Sequence, residues 1–167
     1  MLKYNIITQE SRVLSVIYMA MEIGNKLKTT RKFYNFRQQE IAEMLQTSVA
    51  TISNYEMNKT EPKITMLTNL ANYYQISCDW LLGATKTRNK KNRHWDGFIN
   101  DYKFPERLKK AREQRGISQS ELGRILRIMP SNIVLYEQGK TEPSLENIVF
   151  IAKILGVTVD WLVGLED

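Results

Sequence analysis

The sequence repeats itself at a fixed offset, and this repeat constrains the fold more than any other feature. Residues 55–83 align with residues 136–164 at an offset of 81 (136 − 55), and 11 of the 29 pairs are identical. Both copies contain the segment KTEP. The register continues upstream without a gap, as the pairs Arg31/Arg112 and Glu40/Glu121 show. One offset held over so many positions indicates a tandem duplication of a unit of about 60 residues.

Each copy has the pattern of several short helices. In the second copy, Ser118 and Glu121 form a capping-box pattern in front of an apolar run with helical spacing. Gly116 suits the end of the preceding helix, because glycine adopts the left-handed conformation without strain. Asn35 takes that place in the first copy. We therefore predict an all-α fold with two five-helix domains, in which further helix caps are provided by Ser48, Ser77, Ser144 and Thr158.

The composition excludes several classes of function. Apolar residues make up 43% of the chain, which is typical of a folded protein and not of a disordered one. Cys78 is the only cysteine and His94 the only histidine, so neither a disulfide nor a Cys/His metal cluster is expected. No glycine-rich phosphate loop occurs. The longest apolar run, residues 13–21, is too short to span a membrane. We expect no enzyme activity, no cofactor, no metal and no membrane partner.

The positive charge is concentrated in the middle of the chain. The formal net charge is +6, and residues 84–103 alone hold six basic and two acidic side chains. This segment is predicted to be a basic linker between the two domains. It is interpreted either as a solvated spacer, with Trp95 and Phe98 packing on one domain, or as an arm that contacts DNA phosphates or the minor groove.

The segments QQEIAEMLQTSVATISNYEMNKTEP and QSELGRILRIMPSNIVLYEQGKTEP, with the trailing DWLLG and DWLVG, resemble the helix-turn-helix domains of the phage repressor and Cro type. This family is also called xenobiotic-response-element-like. The resemblance covers residues 22–83 and 103–164. It implies that the third helix of each copy enters the major groove of DNA, held there by the helix before it.

By this resemblance, certain residues of each copy are expected to contact DNA. Outward positions of the third helix would meet bases, and the first residue of the second helix would meet a phosphate or a base edge. The turn after the third helix would meet phosphates. The expected contacts are Gln38, Ser48, Val49, Ala50, Thr51, Asn54, Lys59 and Thr60 in the first copy, and Gln119, Pro130, Ser131, Asn132, Leu135, Lys140 and Thr141 in the second.

The two expected reading surfaces differ. Val49 and Ala50 suit thymine methyl groups and Asn54 suits adenine, but none of these positions holds arginine, lysine or glutamine. In the second copy Met129 replaces the capping serine and Leu135 replaces Asn54, so this surface is apolar. The second copy is interpreted either as a weak reader of a T-rich half-site or as a surface for protein contact.

The expected organisation is an N-terminal extension (1–21), a first domain (22–83), a basic linker (84–103) and a second domain (104–167). The extension is interpreted as a dimer-forming segment or as the product of an upstream start codon. The predicted function is a sequence-specific double-stranded DNA-binding regulator of bacterial or phage type, a cytoplasmic and nucleoid-associated repressor that acts either as a monomer or as a homodimer. The alternative is an antitoxin-like or anti-defence protein-interaction module that binds a partner through the second domain.

Overall fold

A computed structural model describes residues 22–88 and 102–166. The predicted N-terminal extension and residues 89–101 of the predicted linker lie outside the described residues. The described residues belong to two compact units, which we call unit 1 (22–88) and unit 2 (102–166). The bounds of the domains within these ranges stay predictions.

Each unit contains five helices. In unit 1 they are α1 (22–33), α2 (Gln38–Met44), α3 (Val49–Glu56), α4 (Ile64–Tyr73) and α5 (Cys78–Leu81). In unit 2 they are α6 (Phe104–Gln114), α7 (Gln119–Leu126), α8 (Pro130–Glu137), α9 (Leu145–Leu155) and α10 (Val159–Leu162). Within 22–88 and 102–166 there is no strand beyond an isolated bridge residue, Ile76. The predicted fold class, all-α with two five-helix domains, is confirmed.

Serine or threonine side chains start five of these ten helices, as the sequence pattern predicts. A helix leaves its first backbone N–H groups without partners, and a serine or threonine oxygen in front of it accepts from one of them. All five predicted caps make this bond to the backbone three residues on; they are Ser48, Ser77, Ser118, Ser144 and Thr158.

The duplication is visible in the backbone as well as in the sequence. Five residues of each unit have positive φ, and the five pairs all have the offset of 81. Where unit 2 has glycine, unit 1 in three cases has asparagine or glutamine; this conformation costs an ordinary residue about 1–2 kcal/mol, and asparagine less, because its short side chain can hydrogen-bond locally. The pairs are Asn35/Gly116, Gln46/Arg127, Asn58/Gly139, Gln75/Gly156 and Gly83/Gly164.

Apolar side chains from all five helices form the core of each unit. Ile41, Ile64 and Leu67 are fully buried in unit 1, and Leu122 and Ile148 in unit 2. Burial of each such side chain stabilises a unit by about 1.5–3 kcal/mol. This core fixes the relative positions of the short helices, which are too short to be stable alone.

The aromatic residues that the two copies share differ in burial. Tyr136 is 7% exposed and belongs to the core, whereas Tyr55, Trp80 and Trp161 are half-buried. A cation from the first helix of each unit covers each tryptophan: Lys26 Nζ lies 5.3 Å from the Trp80 ring centroid, and Arg107 Cζ lies 5.1 Å from that of Trp161. The indoles therefore form cation–π contacts at the edge of the core.

Candidate nucleic-acid interface

The second and third helices of each unit cross closely, because a small residue lies where they meet. Ala42 takes this position in unit 1 and is 2% exposed. Gly123 takes it in unit 2, where an ideal Cβ would lie 3.1 Å from Pro130 Cα and 3.2 Å from the Ile128 carbonyl oxygen. A larger side chain at either position would push the two helices apart. Helix α3 is thus held at a fixed angle by α2, and α8 by α7.

In unit 1, one face of α3 is buried and the other is accessible. Ile52 is 3% exposed and anchors the inner face. Val49 and Ala50 are exposed at the start of the helix, and Asn54 is half-buried one turn further on. The accessible face is therefore a mixed apolar and amide surface, at the positions where base contacts are expected.

The N-terminus of α3 is closed by two hydroxyl groups. Ser48 Oγ accepts from the backbone N–H of Thr51 at 3.1 Å, and it lies 2.8 Å from Thr51 Oγ1. Both hydroxyls lie at the positive end of the helix dipole, where a phosphate oxygen would be attracted. Ser48 is exposed and Thr51 is half-buried.

The corresponding surface of unit 2 is more apolar. Met129 precedes α8, offers no side-chain cap and is 70% exposed. Pro130 and Ser131 are also exposed, whereas Asn132 and Leu135 are half-buried. The expected reading positions of unit 2 are therefore accessible, but they present few hydrogen-bonding groups.

The KTEP segment forms the connection between the third and fourth helices of each unit. Lys59 and Thr60 are exposed, and so are Lys140 and Thr141. The prolines that end the two segments are buried. The proline therefore anchors the turn, while the lysine and threonine remain available for a ligand.

An ion-pair network behind α3 was not predicted from the sequence. The Arg31 guanidinium donates from Nε to Glu56 Oε1 at 2.5 Å and from Nη2 to Glu56 Oε2 at 2.9 Å. Gln38 Nε2 donates to the same Oε2 at 2.9 Å. These hydrogen bonds to Glu56 raise the pKa of Arg31 above its ordinary value, against the opposing effect of burial. The network ties the last residue of α3 to α1 and to the first residue of α2.

Unit 2 contains the same network. Arg112 donates to both carboxylate oxygens of Glu137, at 2.5 and 3.0 Å, and Gln119 Nε2 donates to Glu137 at 2.8 Å. Each network residue of one unit is identical to the residue at the offset of 81 in the other unit. This identity between the copies is the sequence feature from which the network could have been predicted. Gln38 and Gln119, expected to contact DNA, each keep a second amide N–H for that purpose.

Other kinds of site find no support in the part of the chain that the structure describes. Residues 22–88 and 102–166 hold no group of three or more His, Cys, Asp or Glu side chains placed to bind a metal ion. In the same ranges no helix is both long enough and apolar enough to cross a bilayer.

Comparison with known families assigns a domain to each unit. Residues 24–85 match a family described as "Helix-turn-helix domain", and residues 108–162 match one described as "Helix-turn-helix". No solved structure gives a significant match to the chain.

Two proteins of Bacillus subtilis (strain 168) are similar to part of the chain. The HTH-type transcriptional regulator ImmR is 38% identical over 72 residues, which cover 43% of this chain and 56% of ImmR. The SPbeta prophage-derived uncharacterized HTH-type transcriptional regulator YonR is 42% identical over 59 residues, 35% of this chain and 55% of YonR. The chain thus spans about half the length of these relatives. The family matches and the geometry agree that each unit of this chain carries a helix-turn-helix domain.

Proposed function

We propose that the chain is a sequence-specific, double-stranded DNA-binding transcriptional regulator of the phage repressor and Cro type, and that it acts as a repressor by occupying an operator. The observation that carries this proposal is the accessible face of α3, which is fixed from behind by α2 and by the Arg31–Glu56–Gln38 network. A rigid helix of this kind enters the major groove without first having to be ordered. The names of the relatives, both HTH-type transcriptional regulators, support the same class of function.

In unit 1 the proposed contacts divide into base readout and phosphate contacts. Asn54 would bind the N6/N7 edge of an adenine, and Val49 and Ala50 would contact thymine methyl groups. Phosphates would be bound by the second N–H of the Gln38 amide and by the side chains of Ser48, Thr51, Lys59 and Thr60. Unit 1 therefore reads an A/T-rich half-site.

Unit 2 would bind more weakly and with less sequence preference. Leu135 stands where unit 1 has Asn54, and Pro130 and Ser131 replace Val49 and Ala50. Its phosphate contacts, through Gln119, Lys140 and Thr141, correspond to those of unit 1, and Asn132 adds a polar group. We propose that unit 2 contributes affinity through linkage to unit 1, since two linked weak binders gain from a high effective concentration.

The direct test is a salt titration of duplex binding with matched variants of the two units. Duplexes are first selected from a random pool by the intact chain. Affinity should fall steeply with salt, because bound lysine and arginine release counterions from DNA. Asn54→Ala with Lys59→Ala should weaken binding strongly, and Leu135→Ala with Lys140→Ala should weaken it less. No duplex binding at low salt, or equal binding by all variants, would refute the proposal.

The symmetry of the selected duplexes distinguishes a monomer from a homodimer. One asymmetric site would indicate a monomer that uses both units, whereas a palindrome would indicate a homodimer that uses one unit per chain.

The alternative function, a protein-interaction module, rests on the exposed Met129 and Pro130 and predicts binding that is insensitive to salt. A DNA partner would place the protein with the nucleoid in the cytoplasm.

A further inference from the structure

Unit 1 carries an aromatic surface that plays no part in the proposed reading of DNA. Phe33 is 67% exposed and Tyr34 40% exposed, at the end of α1. The Phe33 and Tyr34 rings meet edge to face at 5.1 Å, and Tyr34 stacks at 5.9 Å on the buried Tyr74. Phe36 and Tyr73, both half-buried, extend the ring contacts. We call these five residues the aromatic surface.

Unit 1 carries this surface, and unit 2, which has the same five-helix arrangement, does not. At the offset of 81, Gln114 replaces Phe33 and Arg115 replaces Tyr34, and both are exposed. The remaining three positions hold aliphatic residues in unit 2. Arg115 also makes a hydrogen bond that corresponds to the one made by Tyr34. Tyr34 Oη donates to the Tyr74 carbonyl oxygen, and Arg115 Nε donates to the Leu155 carbonyl oxygen. The fold therefore does not require exposed aromatic rings here.

The charges around the surface are mainly positive. The guanidinium of the half-buried Arg88 lies 4.7 Å from the centroid of the Phe33 ring, and its Nε is buried without a hydrogen-bond partner among the described residues. Lys32 is exposed beside Phe33, and the Arg37 side chain is 80% exposed. Two acids of the described residues lie near the surface: Glu56 is paired with the buried Arg31, and Glu40 accepts from the backbone N–H of Arg37 at 2.6 Å and lies 3.6 Å from the Arg37 guanidinium.

We propose that the aromatic surface binds an acidic segment of a partner protein that carries aromatic or aliphatic side chains between its carboxylates. Exposed aromatic rings act as anchors in protein interfaces, because they bury a large area at a low entropic cost. Carboxylates of the partner would complement Arg88, Lys32 and Arg37, and the charge-assisted bonds they form are the stronger kind. The surface is not formed by the residues proposed to read bases, so a regulator bound to DNA could hold this partner at the same time.

The experiment uses the intact 15N-labelled chain and a random copolymer of glutamate and tyrosine as the probe. The copolymer should shift the amide signals of Phe33, Tyr34 and Tyr73. Phe33→Gln introduces the residue found at this position in unit 2 and should weaken binding on the order of fivefold, as for loss of one interface anchor. Gln114→Ala, at the matched position of unit 2, should leave binding unchanged.

Several results would overturn the proposal. Polyglutamate that binds as tightly as the copolymer would exclude a role for the rings, and copolymer shifts confined to unit 2 would exclude this surface. Shifts of the same signals on dilution alone would assign the surface to a second copy of the chain. Shifts caused by Trp95→Ala without a probe would assign it to the chain's own residues 89–101, and shifts caused by duplex DNA would assign it to the DNA interface.

Discussion

The backbone N–H of Gly24 donates to Oδ1 of Asn58 at 2.8 Å, and this bond joins α1 to the turn that follows α3. An ideal Cβ at position 24 would lie 2.5 Å from the same oxygen, so the junction requires glycine. In unit 2 the corresponding residues are Pro105, which has no N–H to satisfy, and Gly139, where an ideal Cβ would lie 3.4 Å from Pro105 Cγ. The two units therefore join the first helix to the turn after the third helix through different contacts.

Asn58→Gly should destabilise unit 1 by about 1 kcal/mol, because the Gly24 N–H would lose its acceptor. The control is Asn35→Gly, which also replaces an asparagine of positive φ but removes an exposed side chain; it should be neutral or slightly stabilising. Urea unfolding followed through Trp80, in a chain with Trp95→Phe and Trp161→Phe, reports on unit 1. Equal effects of the two substitutions would show that the hydrogen bond contributes nothing.

Two buried threonines of unit 1 should respond in opposite ways to replacement by alanine. Thr30 and Thr68 are each 1% exposed, but Thr30 Oγ1 has no hydrogen-bond partner among residues 22–88 and 102–166, whereas Thr68 Oγ1 donates to the Ile64 carbonyl oxygen at 2.7 Å. Thr30→Ala should stabilise unit 1 by about 1 kcal/mol, since a buried hydroxyl without a partner is costly. Unit 2 already has Ala111 at this position.

Thr68→Ala should instead destabilise unit 1 by about 1 kcal/mol, because it removes a satisfied hydrogen bond and leaves a small cavity. The same fluorescence measurement serves both variants. If Thr30→Ala lowered the urea midpoint as much as Thr68→Ala does, the Thr30 hydroxyl would have to have a partner in solution.

The starts and ends of the helices could be predicted from the sequence, because the residues that determine them are close together in the chain. The Ser48 cap depends on a bond to Thr51, three residues away, and the positive φ of Asn35 depends on the residue that ends α1. The Arg31–Glu56 pair joins residues 25 positions apart, so only the packed core brings them together. The same holds for Lys26 and Trp80. Helix starts and ends were therefore predictable, and the contacts that fix α3 from behind were not.

Gln38 should matter for stability as well as for DNA binding. Its amide donates to Glu56, which is buried with Arg31, so Gln38→Glu would place a second carboxylate against the first. We expect Gln38→Glu to destabilise unit 1 by about 3 kcal/mol, the lower end of the range for breaking a buried ion pair. Gln39→Glu, on the exposed side of α2, is the control and should cost little. A Gln38→Glu chain as stable as the Gln39→Glu chain would mean that the amide bond to Glu56 does not form.

Unit 1 should lose stability in alkaline solution through Tyr74. Burial, followed by the negative charge of Glu56, raises the pKa of the Tyr74 hydroxyl well above its ordinary value near 10. Above about pH 10 the Tyr74 hydroxyl of the unfolded chain loses its proton, whereas that of the folded chain keeps it. The free energy of unfolding therefore falls as pH rises past about 10, by at most about 1.4 kcal/mol per pH unit for this group.

Tyr74→Phe should remove this contribution to the pH dependence in urea unfolding followed through Trp80. Tyr102→Phe is the control, because burial also raises the pKa of Tyr102, but this residue belongs to unit 2. An unchanged slope between about pH 9.5 and 11 in Tyr74→Phe would assign the alkaline loss of stability to other groups.

Ser48 and Met129 occupy the same position in the two units and should respond to exchange in opposite directions. Ser48 Oγ accepts the Thr51 N–H at 3.1 Å, whereas Met129 offers α8 no side-chain acceptor and leaves its own side chain 70% exposed. Met129→Ser should place a hydroxyl within reach of the first turn of α8 and stabilise unit 2 by about 1 kcal/mol, and Ser48→Ala should destabilise unit 1 by a similar amount. Unfolding followed through Trp161 as the single tryptophan measures the first effect, and through Trp80 the second. If Met129→Ser were neutral, the turn before Pro130 would have to hold residue 129 away from the helix N–H groups in solution.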